Sequence, residues 1–313
     1  MATGHRNLTP PAGVSRGMSA LSGQALLTAL RREHPEWRPL LAVVEEATRE
    51  ARRPEWARVV PELQHSGSAG RPLLDGAVLG VAPRLVARWI GRILGIAAAA
   101  GTEVGPLATA VAARRIDPLV VFEAALSQEV SRLDDLASAL GDDHGVLRGL
   151  APLIARPMLQ ACRRAWASRV PPTWTHGHCP ICGGWPAIAE IRGLAGSRHL
   201  RCGACGSDWR TEWLRCSFCG EDDHQRLGCL ASAESLDRET IAVCDGCDGY
   251  VKTLTTLAPI RPEHVTLRDL GTLGLDVVAL DHGYRRPAAA GRGAAVSVVA
   301  TPSRLRDLLG RRP

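Results

Sequence analysis

The feature that most constrains the fold is a set of eight cysteines, which form four Cys-x-x-Cys knuckles within 69 residues. The knuckles are Cys179 with Cys182, Cys202 with Cys205, Cys216 with Cys219, and Cys244 with Cys247. Two intervening residues allow a tight turn to direct both thiolates at one ion, and two such turns complete a tetrahedron. We therefore predict two metal sites in which all eight cysteines are ligands.

Two pairings of the knuckles are compatible with the sequence. Sequential pairing gives spacings that are typical of zinc-ribbon or rubredoxin-like modules, whereas crossed pairing would join the first knuckle to the third and the second to the fourth. All-sulfur sites select zinc or iron, and the sequence does not choose between them. Four sulfurs leave no open position for activated water, so metal-dependent hydrolysis is disfavoured.

Other potential ligands lie close to the knuckles, but we do not predict that they bind metal. Cys162 has a helical context and is expected to be a small buried apolar residue. Cys229 follows a loop, and the two histidines beside the first knuckle, His176 and His178, are expected to lie outside the ligand set. The acidic run that begins at Glu221 is interpreted as a solvated loop.

Composition limits the cellular context. The first 16 residues contain no apolar segment typical of a secretory signal, which favours the cytoplasm, where paired thiols more often bind metal than form disulfides. The most apolar stretch, Val78–Ala100, carries Arg84, Arg88 and Arg92 at a four-residue spacing. Each such charge would be costly inside a bilayer. We therefore predict an amphipathic helix and no membrane insertion.

Hydrophobic periodicity separates a helical half from a cysteine-rich half with short β-prone segments. The predicted fold class is an all-α N-terminal domain followed by two rubredoxin-like or zinc-ribbon-like four-cysteine modules. The predicted domains are a disordered leader at 1–20, a helical domain at 21–172, a first module at 173–213, a second module with a closing helix at 214–284, and a mostly disordered tail at 285–313.

Several individual elements are predicted within these domains. Helices are expected at about 78–100, at about 106–114, from Asp117 toward Ala139, at about 146–168, at 267–280 and at 303–309. Asp117-Pro118 has the pattern of an N-cap followed by proline in the first turn. Strands are expected at 185–191 and 199–201, beside the knuckles.

The charge balance of the cysteine-rich half disfavours nucleic-acid binding. The whole chain has a net charge of +6, but residues 171–260 contain eight basic and eleven acidic side chains. Four thiolates around a divalent ion add about −2 for each site. A phosphate-binding surface needs positive charge, so no nucleic-acid partner is predicted.

The cysteine-rich half resembles the formate dehydrogenase accessory protein family, FdhE. The segments that carry the resemblance are His178–Pro186, Arg198–Cys205, Trp209, Arg215–Gly220, Cys244–Cys247 with Tyr250 and Lys252, and Asp269 with Leu275-Asp276. The resemblance covers about residues 174–284. The eight cysteines of the family's knuckles correspond to the eight cysteines named above.

The resemblance implies a cytoplasmic assembly factor that acts on the catalytic subunit of formate dehydrogenase and binds two metal ions, with iron expected and zinc as the alternative. It implies no catalytic residues, and no familiar short enzyme motif occurs in the chain. Two alternatives stay open: a rubredoxin-like electron carrier and a zinc-ribbon nucleic-acid-binding protein. The sequence does not indicate the oligomeric state.

Overall fold

The structure is a computed structural model. It describes residues 5–8, 21, 23–67, 70–102, 104–113, 115–140, 145–232, 238–289 and 291–301. The predicted leader therefore lies largely outside the described residues, and so does the predicted helix at 303–309.

The described residues form nine strands and ten helices of four or more residues. The strands are β1 His5–Leu8, β2 Ala77–Val81, β3 Pro186–Arg192, β4 Ser197–Cys202, β5 Asp208–Arg210, β6 Leu227–Ser232, β7 Glu239–Cys244, β8 Gly249–Thr256 and β9 Val296–Ala300. The helices are α1 Gly23–Glu33, α2 Arg38–Glu50, α3 Pro54–Ala57, α4 Pro83–Ala99, α5 Gly105–Ala112, α6 Pro118–Ser127, α7 Val130–Leu140, α8 Val146–Trp166, α9 Val265–Gly271 and α10 Leu273–Asp281. This combination of helices with two four-cysteine modules confirms the predicted fold class.

The chain divides into two compact units, each made of several segments. One unit contains residues 1–37, 66–73 and 166–292, and the other contains 38–65, 74–165 and 293–313. The domain boundaries that we predicted from the sequence stay predictions.

The cysteine-rich unit contains a seven-stranded sheet in the order β1-β6-β7-β8-β3-β4-β5. Its two halves repeat one plan, because β3, β4 and β5 pair antiparallel in one half and β6, β7 and β8 do so in the other. The halves join where β3 and β8 pair in parallel, with Ile188 opposite Lys252. The two modules therefore share one continuous hydrogen-bonded sheet, a connection that the sequence did not predict.

Helices α9 and α10 cover one face of this sheet. The apolar cluster beneath α10 includes Leu230, Ile241, Val243 and Tyr250 from the second module. A second cluster packs Val265 of α9 against Ile188 and Leu254 at the junction of the halves. The closing helix that we predicted is thus two helices, and Thr272 lies between them.

The other unit is mainly helical and is built around α4. The indole of Trp89 is fully buried and donates a hydrogen bond to the carbonyl oxygen of Ile154 at 2.9 Å. On the solvated edge of α4, Arg88 pairs with Glu50 at 3.3 Å and Arg92 pairs with Glu46 at 2.6 Å. Arg84, Arg88 and Arg92 are exposed while Trp89 and Ile93 are buried, which confirms the predicted amphipathic helix. None of the described helices is both long enough and apolar enough to cross a bilayer.

Two helix predictions in this unit need correction. Val78–Val81, which we placed in a helix, belongs to β2 and pairs in parallel with β9. The helix that begins at Pro118 ends at Ser127 rather than near Ala139, because Gln128 adopts a left-handed backbone conformation with φ of 59°. The predicted cap is confirmed, since Asp117 accepts a hydrogen bond from the Leu119 amide at 2.9 Å.

Two segments that we expected to be disordered contain strands. Residues His5–Leu8 pair with the outer edge of β6, and β9 pairs with β2. Between β8 and β9, Arg285 donates its amide to the Asp248 carbonyl at 2.7 Å. The composition of these segments did not indicate strands, because pairing with a distant strand compensates for a weak local preference for β structure.

Candidate metal centres

The first four-cysteine group combines the knuckle before β3 with the knuckle between β4 and β5. The Sγ atoms of Cys179 and Cys205 lie 3.5 Å apart, as do those of Cys182 and Cys202. All four side chains are buried. The turn is held by backbone hydrogen bonds, including one of 2.9 Å from the Gly183 amide to the Cys179 carbonyl.

The second group repeats this arrangement with the knuckle before β6 and the knuckle between β7 and β8. The Sγ atoms of Cys216 and Cys247 are 3.7 Å apart, and those of Cys219 and Cys244 are also 3.7 Å apart. Cys244 is buried, Cys216 and Cys247 are half-buried, and Cys219 is exposed. Sequential pairing of the knuckles is thus confirmed, and crossed pairing is excluded.

Both groups fit a tetrahedral ion. With metal–sulfur bonds of about 2.3 Å, neighbouring sulfurs of a tetrahedron lie about 3.8 Å apart. In each group all four Sγ atoms lie within 4.8 Å of one another, and the closest pairs come near the tetrahedral distance. Each group could therefore hold one metal ion, and the geometry does not distinguish iron from zinc.

Backbone amides within the knuckles point at sulfur. The amides of Ile181 and Ser207 donate to Cys179 and Cys205 at 3.4 Å. The amide of Phe218 donates to Cys216 at 3.4 Å, and that of Gly246 donates to Cys244 at 3.3 Å. Such donors stabilise anionic thiolates and tune a bound metal.

The same backbone conformation follows every knuckle. The residue after the second cysteine has a positive φ in all four cases: 75° at Gly183, 75° at Gly206, 81° at Gly220 and 54° at Asp248. Glycine directly follows the first three knuckles, so the shared position can be recognised from the sequence. Gly206 could have been found from its equivalent position, whereas Asp248 departs from the glycine pattern. Aspartate is one of the few side chains that tolerate this region.

Burial controls ionisation in the first group. Burial raises the pKa of the Cys179 thiol well above its ordinary value. Burial also opposes ionisation of Cys205, yet hydrogen bonds from the other three cysteines and from Ser207 hold its pKa well below the ordinary value. A buried set of four thiolates needs a compensating positive charge, and a metal ion would supply it.

The second group follows the same rule with less burial. Burial raises the pKa of Cys244 to about 11, and burial together with the charge of Cys216 raises the pKa of Cys247. The slight burial of Cys219 raises the pKa of its thiol, but hydrogen bonds from the Glu221 amide and from the other three cysteines outweigh this effect. The pKa of Cys219 is therefore lowered. Cys219 is therefore both the most exposed sulfur of the two groups and a favourable thiolate.

The cysteines and histidines that we predicted to be non-ligands lie outside both groups. His178 is buried, and its Nε2 lies 2.9 Å from the Gly70 carbonyl oxygen. Burial lowers the pKa of His178. Cys162 is fully buried in α8, and burial raises the pKa of the Cys229 thiol in β6.

A partly buried ion cluster lies where β8 meets β3. Lys252 has no exposed surface, and its Nζ lies 2.8 Å from Asp269 and 2.6 Å from Asp276. Arg286 donates to both carboxylates at 2.7 and 2.9 Å, and Tyr250 donates to Asp276 at 2.7 Å. Burial opposes ionisation of Asp269, but Lys252 and Arg286 outweigh it and lower the pKa of that carboxyl. The cluster thus connects four residues that carry part of the resemblance to the FdhE family. They are Tyr250, Lys252, Asp269 and Asp276.

Known proteins resemble this chain in part of its sequence and in its fold. The chain is 30% identical over 117 residues to the FdhE homolog of Aquifex aeolicus strain VF5 and 30% identical over 185 residues to protein FdhE of Escherichia coli strain K12 / DH10B. The resemblance to the FdhE proteins is confirmed. These matches cover 36% and 54% of this chain.

The matches are partial on the side of the FdhE relatives as well, since they span 40% and 56% of those proteins. The crystal structure of the FdhE protein from Pseudomonas aeruginosa has the same fold, with a TM-score of 0.54, 22% identity, and coverage of 93% of this chain and 100% of that chain. No protein-family model matches the chain.

Proposed function

We propose that this chain is a non-enzymatic assembly factor for the catalytic subunit of formate dehydrogenase, and that its eight knuckle cysteines bind two metal ions. The observation that carries the proposal is the pair of closed four-cysteine groups in a chain that is similar to the FdhE relatives. Four sulfur ligands leave no position for substrate on either ion. A role in binding and maturation fits this arrangement better than a role in catalysis.

The site of action would be the cytoplasm, where the thiols stay reduced. We propose no nucleic-acid partner for this chain, because the cysteine-rich half carries more acidic than basic side chains. Iron is the metal that we propose, and zinc is the alternative. When bound, either ion would hold the two knuckles of its group together and neutralise most of the thiolate charge.

The genetic test is deletion of the gene in the native host, followed by measurement of formate dehydrogenase activity. We expect the activity to fall and to be restored by the wild-type chain. Cys202→Ser should not restore it, whereas Cys162→Ala, a cysteine outside both groups, should do so. Unchanged formate dehydrogenase activity in the deletion strain would refute the proposal.

The metal test is purification without added metal under anaerobic conditions, with metal analysis and a visible spectrum. We expect two irons per chain and a red colour that disappears on reduction. Two colourless zinc ions would refute the choice of iron and retain the two sites. Fewer than two ions in the fully folded chain would contradict the ligand assignment itself.

An electron carrier is the second candidate, and the exposure of Cys219 favours it. A metal ion in the second group would lie close to solvent and thus to a redox partner. The discriminating measurement is reversible oxidation and reduction of the metal-loaded protein. Absence of any reversible metal-centred wave in voltammetry would eliminate this candidate and leave the assembly role intact.

A further inference from the structure

The third knuckle, Cys216–Cys219, supplies two sulfurs to the second group, yet it packs against the first module. The two residues between its cysteines, Ser217 and Phe218, both make that contact. Ser217 is buried, whereas the neighbouring ligand candidate Cys219 is exposed. The third knuckle therefore presents one sulfur to solvent while a different module holds the residues between its cysteines.

Ser217 contacts the segment that precedes the first knuckle. A Cβ at Gly177 would overlap the Ser217 carbonyl oxygen and would lie 2.7 Å from the Ser217 Cα. Glycine is the only residue that allows two backbones to approach so closely. Gly177 therefore permits a direct backbone contact between the first module and the third knuckle.

Two indole groups fix the segment that carries Gly177. The Trp209 Nε1 of β5 donates a hydrogen bond to the His176 carbonyl oxygen at 3.0 Å. The Trp174 Nε1 donates one to the His178 carbonyl oxygen at 3.0 Å. Both tryptophans are buried, and hydrogen bonds shielded from water are stronger than exposed ones. The surface that receives the third knuckle is thus fixed by the first module itself.

Phe218 makes the second contact with the first module. Its ring meets the Trp185 ring edge to face, with the centroids 5.4 Å apart, which is a favourable aromatic geometry. A Cβ at Gly249, the first residue of β8, would lie 2.7 Å from the Phe218 Cδ2. Phe218 is therefore enclosed between the first module and the start of β8.

The fourth knuckle, Cys244–Cys247, is also held by contacts that involve no sulfur. It connects β7 to β8, and the pairing of these two strands continues to the last residue of β7. Within the knuckle, the Asp245 carboxylate accepts a hydrogen bond from the Tyr284 hydroxyl at 2.6 Å. The backbone of both knuckles is thus positioned by contacts that do not require an ion.

The sulfurs of the second group can be reached without breaking these contacts. Cys219 is exposed, and Cys216 and Cys244 form part of the wall of a cavity of about 250 Å³. In the first group all four cysteines are buried. Exchange of an ion at the first group therefore requires local opening of the chain, whereas exchange at the second group does not.

We propose that the second group is an exchangeable metal site, which releases its ion and binds it again while the cysteine-rich unit stays folded. Gly177 and Trp185 of the first module hold the third knuckle in its ligating shape, so rebinding does not have to order the chain again. On release the metal–sulfur bonds break, bonds to the acceptor's ligands form, and the thiolates take up protons. No electron is transferred in this exchange.

This inference rests on the ligand assignment in the proposed function and adds reversible exchange to it. The first test uses the full-length protein with two zinc ions and a chromogenic zinc chelator, whose absorbance counts the ions released. We expect one ion to leave first, the one-ion protein to keep its near-ultraviolet circular dichroism, and added zinc to restore two ions. Release of both ions together, or unfolding after the first, would overturn the proposal.

Amide hydrogen exchange of the one-ion protein tests the role of the first module. The turn of the third knuckle is closed by hydrogen bonds from the Cys216 amide to the Glu221 carbonyl at 2.8 Å and from the Gly220 amide to the Cys216 carbonyl at 3.1 Å. We expect both amides to stay protected when the ion has left. Loss of their protection would show that the ion, rather than the first module, holds the knuckle.

Phe218→Leu and Phe122→Leu form a matched pair, because they alter the two phenylalanines of the chain. Phe218→Leu loses the ring contact with Trp185, so a smaller fraction of the one-ion protein has the ligating shape. If that fraction falls to about one tenth, the dissociation constant of the second ion rises about tenfold. A cobalt titration, followed by the cobalt–thiolate absorption, measures this constant. No change in Phe218→Leu would contradict the proposed support.

Phe122 is fully buried in α6 of the helical unit. We expect Phe122→Leu to lower the melting temperature, because it removes volume from a core, and to leave the dissociation constant of the second ion unchanged. The pair thus separates a loss of stability from a loss of the ligating shape. An equal rise of the constant in both variants would contradict a local role of Phe218.

Gly177→Ala and Gly228→Ala compare two glycines of the cysteine-rich unit. Gly228 lies in β6, where a Cβ would meet the end of the Val243 side chain at 3.0 Å. We expect Gly177→Ala to retain the first ion and to bind the second at least about tenfold more weakly, and Gly228→Ala to bind both as the wild type does. Normal binding of the second ion by Gly177→Ala, or loss of both ions, would contradict the direction of support.

These measurements can fail independently of the genetic test. If gene deletion lowers formate dehydrogenase activity and the one-ion protein is unfolded, reversible exchange is wrong and the proposed function stands. If deletion has no effect and the one-ion protein stays folded and binds zinc again, the exchangeable site stands and the proposed function is wrong.

Discussion

The first four-cysteine group is buried on every side, whereas the second, built from the same kind of knuckles, leaves Cys219 exposed. Additional segments close around the first group. The amide of Leu73 donates to the Pro180 carbonyl at 2.8 Å, and the amide of Arg292 donates to the Gly183 carbonyl at 2.9 Å. The second group instead lies beside a cavity of about 250 Å³ that Trp213 and Leu214 also line. One ligand pattern thus occurs in two different environments.

This difference indicates a division of roles. A buried all-sulfur site stabilises the fold around it and exchanges its metal slowly, because local opening must precede access. A partly exposed site keeps its ligands within reach of solvent and of a partner. We therefore expect the first group to act mainly on stability and the second mainly on interaction.

The largest effect should come from removing a ligand of the first group. Structural metal binding contributes about 10 kcal/mol or more to folding in small zinc modules. Cys202→Ser should therefore lose its ion and unfold the module, and unfolding should spread through the shared sheet by way of β3 and β8. Cys219→Ser should lose one ion with a smaller fall in melting temperature, because its environment is already solvated. Thermal melting combined with metal analysis measures both effects, and equal falls would contradict the division.

The turns that follow the knuckles provide a second comparison of the two groups. A Cβ at Gly206 would lie 2.4 Å from the backbone oxygen of Pro262 at a φ of 75°, whereas a Cβ at Gly220 would meet only the Arg215 side chain at 3.7 Å. We expect Gly206→Ala to cost about 2–5 kcal/mol through strain and overlap together. Gly220→Ala should cost about 1–2 kcal/mol from backbone strain alone. Chemical denaturation of both variants tests the order, and a greater loss in Gly220→Ala would reverse it.

A chelator and an alkylating reagent should reach the two groups at different rates. When a chelator competes for the metal, we expect the second group to release its ion at least about tenfold faster, which is about 1.4 kcal/mol in activation free energy. Alkylation by iodoacetamide should modify Cys219 first, because it is exposed and its pKa is lowered by hydrogen bonds that outweigh its slight burial. Mass spectrometry of timed samples identifies the modified cysteine. Early modification of Cys179, which is fully buried, would refute this order.

Local patterns in the sequence predicted much of this architecture. The Asp117 cap and the strands beside the knuckles depend on residues close in sequence, and the structure contains both. The eight cysteines come together in two groups, and their role as metal ligands stays a prediction. The parallel pairing of β3 with β8 and that of β2 with β9 were not predicted. These contacts join residues more than 60 positions apart, and no local periodicity encodes such pairing. The cavity was missed for the same reason, since its wall combines a sheet face with a separate segment.

The smallest expected effect lies in the fourth knuckle, where Asp248 occupies the position that glycine holds in the other three. Asp248→Gly would relieve left-handed backbone strain, but it would increase the entropy of the unfolded chain and remove the exposed ion pair of 3.2 Å with Arg285. These contributions oppose one another, so the free energy of unfolding should change by no more than about 1 kcal/mol. Asp248→Val is the matched control, because a β-branched residue fits poorly at positive φ and should cost about 1–2 kcal/mol. If valine were tolerated as well as glycine, the turn would not require the left-handed conformation, and the four knuckles would not share one backbone design.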